Sequence, residues 1–139
     1  MVEIEFRAWD GKVMHENVVV VDGFAYKRGY FATISCKEAK AGTPMQYTGL
    51  KDKNGKKIFE GDILESTSEL LTNFGNTRTG RYATSYEQVI WMADSWGIKT
   101  LKSNTIIEGS ESKGLRIPAK YGVVCGNIYE NPELLGESK

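Results

Sequence analysis

The first residues in this chain that could do chemistry are two carboxylates, Glu60 and Asp62, on either side of Gly61. Residues two apart in an extended strand point to the same face, so this pair could hold a magnesium ion or serve as an acid and a base. The other interpretation is an acidic turn in which Asp62 bonds to its own backbone. We favour the turn, because no cluster of histidine, cysteine and carboxylate residues accompanies the pair. A metal-dependent enzyme using Glu60 and Asp62 is therefore the least favoured function.

Sulfur and imidazole ligands are few. The chain has one histidine, His15, and two cysteines, Cys36 and Cys125, far apart in sequence. Structural zinc takes three or four such ligands at close spacing, which this pattern does not supply. Cys125 lies in an apolar run, typical of a core cysteine, and His15 follows a turn as a polar surface residue. We predict no catalytic residue, no metal and no cofactor; reduced cysteines are the default, and a single bridge between them stays open.

Four lysines crowd around the Asn54-Gly55 turn, and we call residues 51–57 the lysine turn; they are Lys51, Lys53, Lys56 and Lys57. One interpretation is a nucleic-acid contact, in which the ammonium groups meet phosphates and the rings of Tyr47 and Phe59 stack on bases. The other is a solvated loop tip, since lysine commonly prevents unwanted pairing at sheet edges. We favour the solvated tip and keep nucleic-acid binding as the alternative.

One tryptophan is a candidate contact residue. Trp96 follows Asp94-Ser95 and precedes Gly97, where two strand-like segments, 88–92 and 97–101, predict a hairpin tip. An exposed aromatic ring at such a tip is a common anchor in protein interfaces. The predicted binding residues are thus Lys51, Lys53, Lys56, Lys57, Tyr47 and Trp96.

Composition limits the class of protein. With 139 residues, 40% hydrophobic and 26% charged, the chain predicts one globular domain that can bury a core without a metal or disulfide. Eighteen basic and eighteen acidic residues cancel, so no overall field draws the protein to nucleic acid or an anionic membrane. No window reaches the about 18 apolar residues of a membrane span. We expect no membrane partner and a cytoplasmic location.

The pattern of elements is that of antiparallel strands. Residues 2–8 alternate apolar and charged, and an Asp10-Gly11 turn follows. The valines Val18 to Val21 form a second strand candidate, and residues 121–129 read as a buried strand. Ser, Thr, Asn and Gly dominate residues 65–86, which predicts a long insert with a helical turn at 69–73. Shorter predictions are a second Asp-Gly turn at 22–23, a short helix or loop at 35–42, and a helical turn after Asn131. The fold class is mostly β, a β-rich α+β fold of antiparallel hairpins.

Several longer motifs resemble the YopX family, small proteins encoded mainly by bacteriophages and prophages of Gram-positive bacteria. The motifs are Phe6 to Asp10 with Met14 downstream, Gln46 to Gly55, Ile58 to Ile63, Val89 to Trp91, and Gly126 to Leu135. The resemblance implies a mostly β fold, an SH3-like small barrel in the C-terminal portion and assembly into oligomers; it implies no activity. Residues 1–139 would form one such domain, with two lobes, 1–47 and 48–139, as an alternative. Residues 67–85 and 102–119 depart most from the family pattern.

These observations predict a non-catalytic binding or self-assembly module, an accessory protein of a phage or prophage. Its partners would be copies of itself, or a protein of the host or the phage. Edge strands such as Val18 to Val21 would pair between copies, because an open sheet edge exposes unpaired backbone groups. The alternative function is nucleic-acid binding through the lysine turn.

Overall fold

The structure, a computed structural model, describes residues 4–21, 24–27 and 43–135. Cys36, the Asp22-Gly23 turn and the predicted helix or loop at 35–42 lie outside these ranges. The described residues form ten strands, one six-residue helix and a final turn of 3-10 helix. They are β1 Phe6–Trp9, β2 Met14–Val21, β3 Phe24–Lys27, β4 Thr43–Lys51, β5 Lys57–Phe59, β6 Asp62–Thr72, β7 Thr77–Trp91, β8 Trp96–Ser103, β9 Glu111–Lys113, α1 Arg116–Tyr121, β10 Val123–Asn127 and the 3-10 turn Pro132–Leu135. The mostly β, antiparallel prediction is confirmed.

The chain divides into two compact units. The first comprises Met1–Leu50 and Lys57–Glu60, and the second comprises Lys51–Lys56 and Gly61–Lys139. Division into lobes 1–47 and 48–139 stays a prediction.

The first unit contains a five-stranded sheet with the order β3-β2-β1-β4-β5. Its β1–β2 hairpin turns at Gly11, where φ is +101°, and the Asp10 carboxylate accepts hydrogen bonds from the backbone N–H groups of Lys12 and Val13 at 2.7 and 2.8 Å. The Val13 N–H, the His15 ring and the Lys12 N–H together lower the pKa of Asp10 to about 2. The predicted Asp-Gly hairpin is confirmed, because its determinants are local in sequence.

The position expected for Val18 to Val21 is wrong. These residues belong to β2, which pairs with β1 on one side and with β3 on the other. Val18 is 2% exposed and packs with Ala8 and Ala25 in the core of this unit. In the described sheet β2 is therefore an interior strand, not the edge strand that the sequence predicts.

The second unit contains another five-stranded antiparallel sheet, with the order β10-β6-β7-β8-β9. Ile63, Leu64 and Val89 are at most 1% exposed and form its core. The predicted hairpin between β7 and β8 is confirmed. The SH3-like barrel is not confirmed, since over the described residues this sheet runs from one edge strand, β10, to another, β9, without closing.

The prediction of a long insert with a helical turn at 65–86 is wrong. These residues continue β6 and β7 as paired strands, from Ser66 opposite Ser85 to Thr72 opposite Thr77. We call residues 66–84 the arm. Every residue from 66 to 84 is exposed or half-buried, so neither face of the arm is covered by a core, and the strands carry no apolar alternation that the sequence could reveal.

One prediction concerns the packing of β8. A Cβ atom at Gly97 would collide with the Met92 sulfur and lie 2.5 Å from the backbone oxygen of Ser112, on β9. We expect Gly97→Ala to lower the free energy of unfolding by about 1–3 kcal/mol, since a backbone oxygen cannot move aside as a methionine can. Urea denaturation measures this. Adding Met92→Ala should recover little; full recovery would show that the methionine alone causes the loss.

Candidate functional site

The lysine turn is organised by one buried carboxylate. Asp52 is 7% exposed; its Oδ1 accepts the N–H groups of Asn54 and Lys56 at 2.8 and 2.9 Å, and its Oδ2 accepts that of Val124 at 2.8 Å. Burial alone would raise the pKa of Asp52, but these three backbone donors and the Lys56 charge outweigh it and hold the pKa below its ordinary value. The backbone N–H of Lys53 also donates to the Gly122 carbonyl at 2.9 Å. The turn is therefore fixed to the segment that begins β10.

The four lysines of this turn are not equivalent. Lys51, Lys53 and Lys56 are exposed in the second unit, and no carboxylate lies within ion-pair distance of them in the described ranges. Lys57 belongs to the first unit, where its Nζ lies 2.6 Å from Glu5 Oε1 and 5.3 Å from the centre of the Tyr47 ring. Three lysines are thus available to an anionic partner, whereas Lys57 has a structural role.

The two rings expected beside the lysines are core residues. Tyr47 and Phe59 are 4% and 5% exposed, with ring centres 5.5 Å apart, and the Arg7 guanidinium lies 4.7 Å from the centre of the Phe59 ring. Both rings are buried and are not accessible for base stacking.

Trp96 stands opposite Trp91 in the β7–β8 register, and the two rings meet edge to face with centres 4.9 Å apart. Trp96 is half-buried, while Trp91 is 51% exposed. The hairpin tip that precedes Trp96 includes Ala93, with φ of +69°, and Asp94, whose carboxylate pairs with Lys113 at 3.0 Å. The exposed ring of the pair is Trp91, the last residue of β7.

Neither carboxylate of the Glu60 and Asp62 pair is fully exposed. Asp62 is 1% exposed and is engaged by other groups of the protein, and Glu60 is half-buried. Over residues 4–21, 24–27 and 43–135, no group of three or more His, Cys, Asp or Glu residues could hold a metal ion.

Two further titratable groups differ from the sequence-based prediction. Cys125 is exposed rather than buried, because a register shift between Val124 and Gly126 forms a bulge that turns it outward. Partial burial and the nearby Glu65 carboxylate raise the pKa of its thiol. Glu87 was missed: it is 8% exposed on β7, opposite Leu64, and burial raises its pKa. No pattern around Glu87 distinguished it from a solvent-facing strand residue.

A family model described as YopX protein matches residues 5–136. The chain belongs to the YopX family. It is also similar to the crystal structure of protein EF1440 from Enterococcus faecalis, with 28% identity, a TM-score of 0.58, and coverage of 98% of this chain and 100% of that one. No curated protein matches the chain. The descriptions of the YopX family and of EF1440 name no activity. In the part of the chain that the structure describes, no helix is both long and apolar enough to span a membrane.

The Asp52 contacts predict a specific dependence of stability on pH. Asp52→Asn should lower the free energy of unfolding by about 1–3 kcal/mol near neutral pH, because buried backbone donors lose a charged acceptor. The folded pKa of Asp52 lies below the unfolded value, so its contribution is fully present above the unfolded pKa and is lost as pH falls through the folded pKa.

Urea denaturation of wild type and variant should therefore show two stability curves that converge on acidification below about pH 4. Asp94→Asn is the control, since its ion pair is exposed and contributes little. A constant gap down to low pH would contradict the role assigned to the Asp52 charge.

Proposed function

We propose that this YopX-family protein acts by binding, first of all to other copies of itself, and catalyses no reaction. We place it among the accessory proteins of phages and prophages, with the host cytoplasm as its location and host or phage proteins as further partners. The observation that carries the proposal is the arm, which bears large apolar side chains on a ribbon of only two strands.

Four apolar residues of the arm face solvent. Leu70, Leu71, Phe74 and Tyr82 are 36%, 49%, 105% and 48% exposed. Leu70 and Leu71 are consecutive in a strand and so lie on opposite faces. A two-stranded ribbon is marginally stable by itself in water, and burial against a partner would stabilise it. Exposed apolar surface of this kind is typical of interaction sites.

The tip of the arm supports the same function. Asn73, Phe74 and Gly75 all have positive φ, of 57°, 55° and 87°. For a bulky aromatic residue this conformation is strained, and such strain is concentrated at functional positions. The turn displays the Phe74 ring fully to solvent, as an interface anchor requires. The zero formal net charge of the chain means that copies do not repel one another at long range.

We expect light scattering coupled to size exclusion to give a mass of at least twice 15.5 kDa at micromolar concentration. Phe74→Ser should shift the equilibrium toward the monomer, because an anchor ring is lost. Ile107→Ser is the matched control, since it removes another exposed apolar side chain, at a loop. A wild-type mass of 15.5 kDa at every concentration would refute self-association.

The second candidate function is nucleic-acid binding, favoured by Lys51, Lys53 and Lys56, which form no ion pair with a described residue. Anisotropy titrations with labelled oligonucleotides should show affinity falling with salt, with a log–log slope of roughly −2 to −3 for three phosphate contacts. Changing all three lysines to Glu should abolish binding. Changing Lys12, Lys99 and Lys102 to Glu alters the formal charge equally and should leave most of the affinity. Equal loss in both variants would remove the lysine turn from consideration.

A further inference from the structure

The two outer edges of the arm differ. On the β7 side, the Asn104 side chain takes the place of a neighbouring strand: its Nδ2 donates to the Tyr82 carbonyl at 2.8 Å and its Oδ1 accepts the Thr84 N–H at 3.0 Å. Further out, Thr79 to Arg81 form a bulge opposite the single residue Leu70, and Gly80 has φ of +74°. Bulges and covering side chains are devices that keep an edge from pairing. The β7 edge is therefore protected.

The bulge is held in place by β6. The Glu69 carboxylate accepts the Nε–H of Arg78 at 2.7 Å and the N–H of Gly80 at 3.0 Å, and the Thr79 hydroxyl donates to the Leu70 carbonyl at 2.6 Å. Both oxygens of the Glu69 carboxylate are therefore bonded to residues of β7. The Glu69 carboxylate is paired with β7 and not with groups beyond the outer edge of β6.

Among the described residues, no bulge and no covering side chain protects the β6 edge of the arm. The Leu70 carbonyl bonds to Thr79, and that of Thr72 bonds to Gly75 and Asn76, so both point toward β7. Because backbone groups alternate along a strand, the N–H and C=O groups of Glu69 and Leu71 point to the outer side. Over the described residues, β10 pairs with β6 only from Asp62 to Glu65, and Ser66–Thr72 contains neither lysine nor proline.

We propose that this open edge pairs antiparallel with the same edge of a second copy, about a two-fold axis at Leu70. The proposal rests on the proposed self-association and names the strand that carries it. In this register Glu69 lies opposite the partner's Leu71, and the reciprocal pair gives four backbone hydrogen bonds in all. The two Leu70 side chains meet as a non-hydrogen-bonded pair, where side chains approach most closely.

Charge allows this register and disfavours the neighbouring one with its axis at Glu69. In a symmetric antiparallel pair, facing residues must lie on the same side of the sheet, so the axis passes through a residue. An axis at Glu69 would set two carboxylates opposite each other, which is destabilising. An axis at Leu70 sets no like charges opposite each other and covers an exposed leucine of both copies.

The first test compares Leu71→Lys with Ile107→Lys in the full-length protein. Each change replaces an exposed branched apolar residue by lysine, but only the first lies on the open edge. Light scattering should show wild-type mass for Ile107→Lys and half that mass for Leu71→Lys, with unchanged circular dichroism in both. Wild-type mass in Leu71→Lys overturns the proposal.

The second test fixes the register. In a Cys36→Ser, Cys125→Ser background, Leu70→Cys should form a dimer bridged by a disulfide when oxidised glutathione is added, and Arg81→Cys, on the protected strand, should not. Absence of the Leu70→Cys bridge overturns the register. A wild-type monomer refutes the proposed function and this inference together, whereas an oligomer that resists Leu71→Lys and forms no bridge refutes only the inference.

Discussion

The second unit depends on a carboxylate that is withdrawn from water and given three backbone donors. A charge with the exposure of Asp52 is costly unless its oxygens are satisfied, and here the N–H groups of Asn54, Lys56 and Val124 satisfy them. The contact with Val124 spans 72 positions of sequence and reaches the strand that pairs with β6. A surface turn is thereby joined to the sheet, so its exposed lysines are displayed on a rigid support and not on a free loop.

The features that could be predicted from the sequence are those set by residues close together in the chain. The turn at Gly11 is predictable because an Asp-Gly pair by itself favours a tight hairpin turn. The β7–β8 hairpin is predictable because two apolar segments flank a short polar break. The partner of Asp52 was not found, because Val124 is distant in sequence and offers only a backbone N–H. Cys125 was placed in the core because the bulge that turns it outward leaves no mark in an apolar run.

The arm shows a more general limit. Hydrophobic alternation reports the difference between a buried and a solvated face, and a ribbon with two solvated faces has no such difference. Its stability comes from specific polar contacts, such as Glu69 with the bulge and Asn104 with the β7 edge. These pairings join residues 9 to 22 positions apart, so composition alone predicted a long insert between strands with one helical turn.

The arm is a candidate interface because its two outer edges differ. If both edges were open, the unpaired backbone groups would be those expected of any long two-stranded hairpin. Instead, one edge carries a bulge and a side-chain amide that occupies its backbone groups, while the other, from Glu69 to Leu71, carries neither charge directed outward nor proline. Within the described residues of the arm, protection of the β7 edge limits strand addition to the β6 edge. Pairing through that edge can close by two-fold symmetry, whereas an arm with two open edges would allow continued growth.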